Sequence, residues 1–528
     1  MKGKKFLCVA AAIAAATQLC ACGGSGDVRL NSTDDYPQET DVELVYWVDN
    51  PAGVRMESYT MNSTPFKREL EKQTGIRVKY VHPPWDQEKQ NFSLMIASND
   101  LPDIIEYDWK QYAGGVEKAI QDNAIINLKP LLENISPNLK TFLEKNPEIE
   151  KNLRTDTGQY GFYPFVRDGE MLTTFRGAVI RKDVLDNAGV AMPETIEEWE
   201  LALRTLKSAG IEIPITIGFT NDMVDTVGPF LGAFGICGGF YQENGVVKFG
   251  PYERNFALFV KKMNQWYEEG LVDRQFDSTS SARYEQQFAN GELGAAFATA
   301  GGNMGSWIPV VSQSIPGAVL APVKYPSARK GQRAKYGHKT LELEGKGAAI
   351  STQCKDVEMA ARLLDYAYSE EGSTLYNFGI EGESYRIVDG YPTYTPYIMD
   401  EQVNGGKPLT QMLGQYTRSS SSAPCIQDVR YMEQYCKFDE QKEAIRLWAD
   451  TDAAKYQLPL LTLTLEENTE FSNIMNKINP YRQEQLYRYI AGAVPVDDME
   501  DYFEKLKNMG MERAIEIQQA AYDRFLKR

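Results

Sequence analysis

The stretch LPDIIEYDWKQY, Leu101 to Tyr112, decides how this chain is read. Asp103-Ile104-Ile105 reads as the end of a buried strand that breaks into Glu106, Tyr107, Asp108 and Trp109. An acid beside an indole at a strand end has two explanations. Either the tryptophan folds back onto the core, or a ligand with hydroxyls and a flat apolar face rests there.

Working outward, the neighbouring segments alternate short apolar runs with amphipathic ones. Glu43 to Trp47 is a predicted strand, Phe66 to Gln73 a helix stopped by Gly75, Ile76 to Tyr80 a half-buried strand and residues 86–97 another helix. This β-α-β-α-β order points to an α/β domain with a largely parallel sheet. A second unit starts near Arg176, with a strand over 177–180. Thr195 and Glu198 then form a capping box ahead of a helix carrying Trp199, Leu203 and Leu206 on one face. Further expectations are a helix over 256–267, a strand over 293–300 running into Gly301-Gly302, a strand at 348–350 and a helix over 358–371. The chain after about 425 is expected to be mostly helical. No solenoid-length repeat and no transmembrane segment of the mature chain is evident.

At 528 residues the chain suggests two or more domains. Its 43% hydrophobic and 24% charged residues mark a globular protein. The 56 Lys and Arg against 73 Asp and Glu give a net charge of −17, opposite to the basic face of a nucleic-acid binder. Aromatics reach 11%, with 30 tyrosines, a composition suited to surfaces that grip by stacking.

The N-terminus has an export pattern. Lys2, Lys4 and Lys5 precede an apolar stretch from Phe6 to Ala16 that is too short to span a bilayer, and Leu19-Cys20-Ala21-Cys22-Gly23 resembles a bacterial lipobox. On this reading residues 1–21 are a signal peptide and Cys22 is lipidated, anchoring the chain to the outer face of a cell membrane through a flexible tether over 22–40. Cleavage removes three lysines and leaves the mature charge at about −20. Of the remaining cysteines, Cys237, Cys354, Cys425 and Cys436, none forms a C-x-x-C pair; Cys425 and Cys436 are either bridged or free.

The tryptophans divide by context. Trp199, Trp266 and Trp448 lie in helical stretches and are expected in the core. Trp47, Trp85, Trp109 and Trp307 follow strand-like runs or sit in Pro- and Gly-rich loops, where open α/β sheets bind ligands. The first three neighbour Asp49, Asp86 and Asp108. Planar apolar faces beside short acids suit a pyranose, whose C–H face stacks and whose edge donates hydrogen bonds. The candidate ligand-binding residues are therefore Trp47, Trp85, Asp86, Asp108, Trp109 and Trp307.

Little points to catalysis. There are two histidines, His82 and His338, and no H-E-x-x-H, P-loop or G-x-S-x-G motif. A glycosidase carboxylate pair remains formally available among 73 acids, but no pair stands out. No catalytic residue, metal or cofactor is expected.

Several stretches together resemble family 1 extracellular solute-binding proteins of carbohydrate ABC importers, most closely their large Gram-positive lipoprotein branch. They are ELEKQTGIRVKY with LPDIIEYD, RGAVIRKDVLDNAGVAMPETIEEWELALRTLK, FANGELGAAFA, DYAYSEEGSTLYNFGIEGESYRIVDGYPTYTP and MGMERAIEIQQAAYDRF. The resemblance implies an α/β, two-lobe periplasmic-binding-protein-like (type II) fold closing on an oligosaccharide, a monomer that delivers ligand to an ABC permease. It implies lobe segments of 41–170 and 315–372 for the N-lobe, and 171–314 and 373–528 for the C-lobe. Crossings are expected near Tyr163–Gly177, near Pro316–Pro326 and after the helix ending at Gly372. It also places Asp108, Trp109 and Trp307 at the ligand, with Glu383 and Tyr385 near the cleft. Arg167 and Arg176 flank the first crossing and either bind an acidic sugar or pair with acids. Relatives that bind acidic oligosaccharides can carry an Asp/Asn-rich calcium loop after the helix that here spans Thr195 to Lys207. SAGIEIPITIGF stands there instead, so no calcium is expected at that place.

Overall fold

The computed structural model describes residues 36–56, 59–218, 229–276, 281–497 and 499–528. The signal peptide, Cys22 and most of the tether lie outside the described residues.

Among the described residues thirteen strands organise the fold: β1 (Glu43–Trp47), β2 (Arg77–Val81), β3 (Ile104–Asp108), β4 (Tyr163–Arg167), β5 (Arg176–Arg181), β6 (Phe240–Glu243), β7 (Val246–Phe249), β8 (Ala295–Thr299), β9 (Leu320–Val323), β10 (Leu343–Ile350), β11 (Tyr385–Val388), β12 (Tyr391–Tyr394) and β13 (Ile426–Gln427). The N-lobe sheet has the order β13-β4-β10-β3-β1-β2. β1 runs parallel to β2 and β3, whereas β10 is antiparallel to both β3 and β4, so the sheet is mixed. The C-lobe sheet, β8-β5-β9, is antiparallel throughout.

Local chemistry sets the element ends. In the helix Pro65–Thr74, Thr64 Oγ1 accepts from Lys67 N–H and proline opens the first turn. Gly75 closes it at φ 73°, where a Cβ would lie 2.1 Å from the Gln38 carbonyl oxygen. β3 continues to Asp108 instead of breaking after Ile105, because its last residues still pair with β10 from Lys346 to Ile350. Thr195 caps the helix Ile196–Ser208, but the Glu198 carboxylate turns back to Glu194 N–H and not to Thr195 N–H. The helix expected over 358–371 is two, Val357–Tyr366 and Glu370–Phe378. Gly372 does not end the first of them. It lets the second approach it closely, since a Cβ there would meet the Tyr366 carbonyl oxygen at 1.7 Å. The Gly-rich segment after β8 is likewise a helix, Gly302–Ser314.

Two crossings differ from expectation. The first, between β4 and β5, links the two sheets. The chain stays in the C-lobe through β9, which pairs with β5, and re-enters the N-lobe only at β10. The next crossing falls after Tyr435, not after Gly372. β13 pairs with β4, and residues from Leu375 through Tyr431 pack into the N-lobe core with Ile104 and Phe165. Beyond it Cys436, Ile445 and Trp448 enter a C-lobe core with Val179 and Trp307. The long helix Leu465–Ile490 and the C-terminal helix Met511–Leu526 add to a second C-lobe core around Trp199, Phe230 and Trp266. All four described cysteines are free and buried, so Cys425 and Cys436 do not bridge. Among the described residues no helix is long and apolar enough to cross a membrane.

Candidate functional site

The carboxyl ends of the parallel strands β1 and β3 open into a cavity of about 540 Å³. Its walls come from the segment after β1 (Val48 to Arg55), the end of β3, Lys346 and Gly347 of β10, and the serine-rich loop after the helix Leu409–Tyr416. Two backbones meet closely behind it: a Cβ on Gly53 would lie 2.3 Å from the Thr410 carbonyl oxygen. Only glycine lets the short helix Ala52–Arg55 seat against Leu409–Tyr416.

A buried ion pair forms the floor. One Arg418 Nη2 donates to both oxygens of Glu106 at 2.8 Å, and the Tyr46 hydroxyl donates to the same carboxylate at 2.8 Å. Burial pushes the Glu106 carboxyl up while the guanidinium opposes it. Arg418 is 2% exposed, and its Nε and Nη1 lack protein acceptors. Nearer the opening, Asp49 pairs with Arg55 at 3.1 Å, and burial followed by the Asp49 charge raises the Glu88 carboxyl. Asp108 accepts from Lys110 N–H with one oxygen, and its other oxygen lies 3.9 Å from Lys110 Nζ. Four carboxylates and three cations thus line the cavity. Tyr107 stacks on Phe92 with centroids 3.8 Å apart, and Tyr431 stacks on Tyr435 at 5.7 Å. Such a lining offers donors, acceptors and phenol rings to a polyhydroxylated ligand.

Tyr435 also reaches the other lobe. A Cβ on Gly301, just past β8, would sit 2.0 Å from its Cε1. The nearby Gln441 Nε2 donates to the carbonyls of Ala300 at 2.6 Å and Gly301 at 3.1 Å.

The structure places the sequence candidates as follows. Asp108 lines the cavity. Trp109 does not: it is fully buried, donates from Nε1 to the Gly347 carbonyl at 3.2 Å, and packs edge-on against Phe92. The indole folds back onto the core and thereby turns Asp108 outward. Trp47 is also core, bonded to Asn91 Oδ1 at 3.1 Å, and Trp307 is buried against Phe288 because its segment is helical. Trp85 is 74% exposed beside Asp86, on the loop after β2, outside the cavity lining. Glu383 pairs with Arg68 at 3.3 Å on the surface, and Tyr385 is buried against Phe378, so neither lines the cavity. Arg167 pairs with Glu344 of β10, and both Arg167 and Arg176 lie over the Phe175 ring at the first crossing.

Sequence reasoning missed Arg418, Glu88, Lys346, Tyr431 and Tyr435. The available signal was the run TRSSSSAP, four serines after an arginine in an otherwise structured region. The contacts that assemble the rest join residues hundreds of positions apart.

Comparison with known proteins gives a consistent picture. A model of the family described as bacterial extracellular solute-binding protein matches residues 63–374. Lipoprotein LipO of Bacillus subtilis is 25% identical over 62% of this chain, a match that spans 65% of LipO. The fructooligosaccharide ABC transporter substrate-binding protein FusA of Streptococcus pneumoniae is 23% identical over 86% of each chain. The crystal structure of the alginate-binding protein AlgQ2 without calcium ion superposes with a TM-score of 0.74 at 23% identity, over 93% of this chain and 100% of that one. FusA in complex with kestose gives 0.73 at 20% identity, over 92% and 99%. At these identities the structures establish the shared two-lobe fold.

Proposed function

This chain belongs to the bacterial extracellular solute-binding protein family, and from that premise we propose that it captures an oligosaccharide between its lobes and hands it to an ABC permease. It is a binding protein, not an enzyme, and works outside the cytoplasm. The observation that carries the carbohydrate reading is the cavity at the ends of β1 and β3. There Asp108, Glu88 and Lys346 present hydrogen-bonding groups beside Tyr107, Tyr431 and Tyr435. The lining holds acids and bases in near balance, with two of the pairs already matched, so a neutral, hydroxyl-rich sugar fits better than a polyanion. The names of relatives, a fructooligosaccharide-binding protein and a polygalacturonan/rhamnogalacturonan-binding protein among them, support the class of ligand and leave its identity open.

The mechanism is hinge closure. The open form meets ligand at the N-lobe cavity, and contacts from the C-lobe favour the closed form by their differential free energy. Lipidation of Cys22 keeps the receptor beside its permease. Transport energy comes from the partner ATPase.

Thermal shift of residues 23–528 against neutral oligosaccharides, acidic oligosaccharides and peptides tests the reading. Binding to the folded state alone raises Tm by mass action. A shift with neutral glycans that Asp108→Ala abolishes is expected. Stabilisation by peptides alone would remove the carbohydrate reading.

A further inference from the structure

A second cavity of about 580 Å³ adjoins the first. It lies against the C-lobe, between the β6–β7 hairpin, the segment 336–341 that returns to the N-lobe, and the stretch from Phe471 to Arg482 of the long helix Leu465–Ile490. The two cavities meet at shared elements. Asp108 lines the first and Lys110 the second, with 3.9 Å between carboxylate and ammonium. On β10, Lys346 lines the first and Glu344 the second; two residues of extended chain span no more than about 7 Å. The pairing of β10 with β4 shifts register between Leu343 and Gly347, at the place where both cavities touch the strand.

Its lining differs in kind from the first. Six aromatic residues contribute, Phe240, Tyr241, Phe249, Tyr336, Tyr456 and Phe471, against three tyrosines in the first cavity. Phe471, Tyr336 and Tyr456 are only half-buried. The charged groups there are engaged: Glu344 with Arg167, Lys339 Nζ with Thr173 Oγ1 at 3.1 Å, Lys110 with Asp108, and the buried Arg482 guanidinium over the Phe249 ring at 5.5 Å. What the second cavity offers a ligand is therefore ring surface.

We infer that the two cavities are consecutive subsites of one cleft, so that the ligand is a chain of sugars long enough to run from the hydrogen-bonding N-lobe cavity onto an aromatic shelf of the C-lobe. This rests on the carbohydrate reading and adds length and direction to it. One unit sits among Asp108, Glu88 and Lys346, and later units stack on Tyr456 and Phe471. Closure then has a physical drive, because only a chain that reaches both cavities pulls the lobes together.

The test is calorimetric titration of residues 23–528 with size-fractionated neutral oligosaccharide ladders from fructan, α-glucan, β-mannan and β-galactan, from two to eight units. The expected result is an affinity that rises at least tenfold between two or three units and five, then levels off. Tyr456→Ala and Phe471→Ala are each expected to erase most of that gain while leaving the affinity of the shortest binding sugar within about twofold, a comparison that also shows the variants are folded. Affinity independent of length, or variants that weaken short and long ligands equally, would overturn the second subsite and leave the first intact. Failure of every ladder to bind would overturn the carbohydrate reading itself.

Discussion

Arg418 Nη2 stands 2.8 Å from each carboxylate oxygen of Glu106, deep in the N-lobe and 312 residues away in sequence. This pair ties β3 to the serine-rich loop that walls the cavity. Removing one member of a buried pair leaves the other charged and unpaired, at a cost of about 3–5 kcal/mol. Arg418→Ala is therefore expected to lower the denaturation midpoint strongly. Glu106→Gln should do less harm, because the amide still accepts from Tyr46 and the guanidinium keeps some solvation from the cavity. Urea unfolding followed by circular dichroism checks the order. Equal, small losses in both variants would mean that the pair does not hold the floor.

Trp109 separates a structural from a ligand-binding role. Its indole is fully buried and its Nε1 donates to Gly347. Trp109→Phe leaves that carbonyl without its donor and opens a small void, a loss of about 1–3 kcal/mol. Affinity for any ligand, measured well below the melting transition, should stay within about threefold of wild type. A large affinity loss at unchanged Tm would instead return the indole to the ligand.

That residue also shows how far the sequence could be read. Strand and helix positions around β1, β2 and Pro65–Thr74 were legible because period, caps and glycine stops act locally. The two-lobe architecture was legible through the family resemblance. The site was only half legible. Asp108 does line the cavity, but large aromatics at strand ends look alike whether they face a cleft or a core, and the choice depends on partners such as Gly347 and Phe92 that lie elsewhere in the chain. The aromatic surface at the two cavities is tyrosine and phenylalanine, which the sequence spreads too widely to single out. The crossings moved for a similar reason. β9 and β13 are four and two residues long, and only their pairing with β5 and β4 shows which lobe owns them.

Gly301 and Tyr435 report on contact between the lobes. A methyl group at Gly301 would lie 2.0 Å from Tyr435 Cε1, so one of the two must move. Gly301→Ala is expected to displace the helix Val429–Tyr435, whose Tyr431 and Tyr435 line the first cavity, and to weaken ligand binding at least tenfold. Adding Tyr435→Ala relieves the overlap. The double variant should then bind better than the sum of the single losses allows, a coupling that a double-mutant cycle measures. Additive losses would show that the contact is passive.

His338 makes the stability of the fold sensitive to acid. It lies on the segment returning from β9 to β10, with its ring 4.4 Å edge-on from Phe175 of the first crossing. Burial, then the Arg176 and Arg167 charges, hold its pKa down to about 3. Arg167, Arg176 and Lys339 are the charged groups that depress it. Because the folded pKa lies below the unfolded one, the unfolded chain takes up a proton that the folded protein refuses. The contribution of neutral His338 is thus complete above about pH 6.5 and is lost on acidification, by at most about 1.4 kcal/mol per pH unit. Between pH 7 and pH 5 this amounts to about 2 kcal/mol. His338→Asn keeps an acceptor toward Phe175 N–H and cannot gain the proton, so its urea midpoint should fall less over that interval than that of wild type. Carboxylates elsewhere act alike in both proteins and cancel in the comparison. Identical pH dependence in the two would mean that the imidazole is solvated and free to ionise in the folded state.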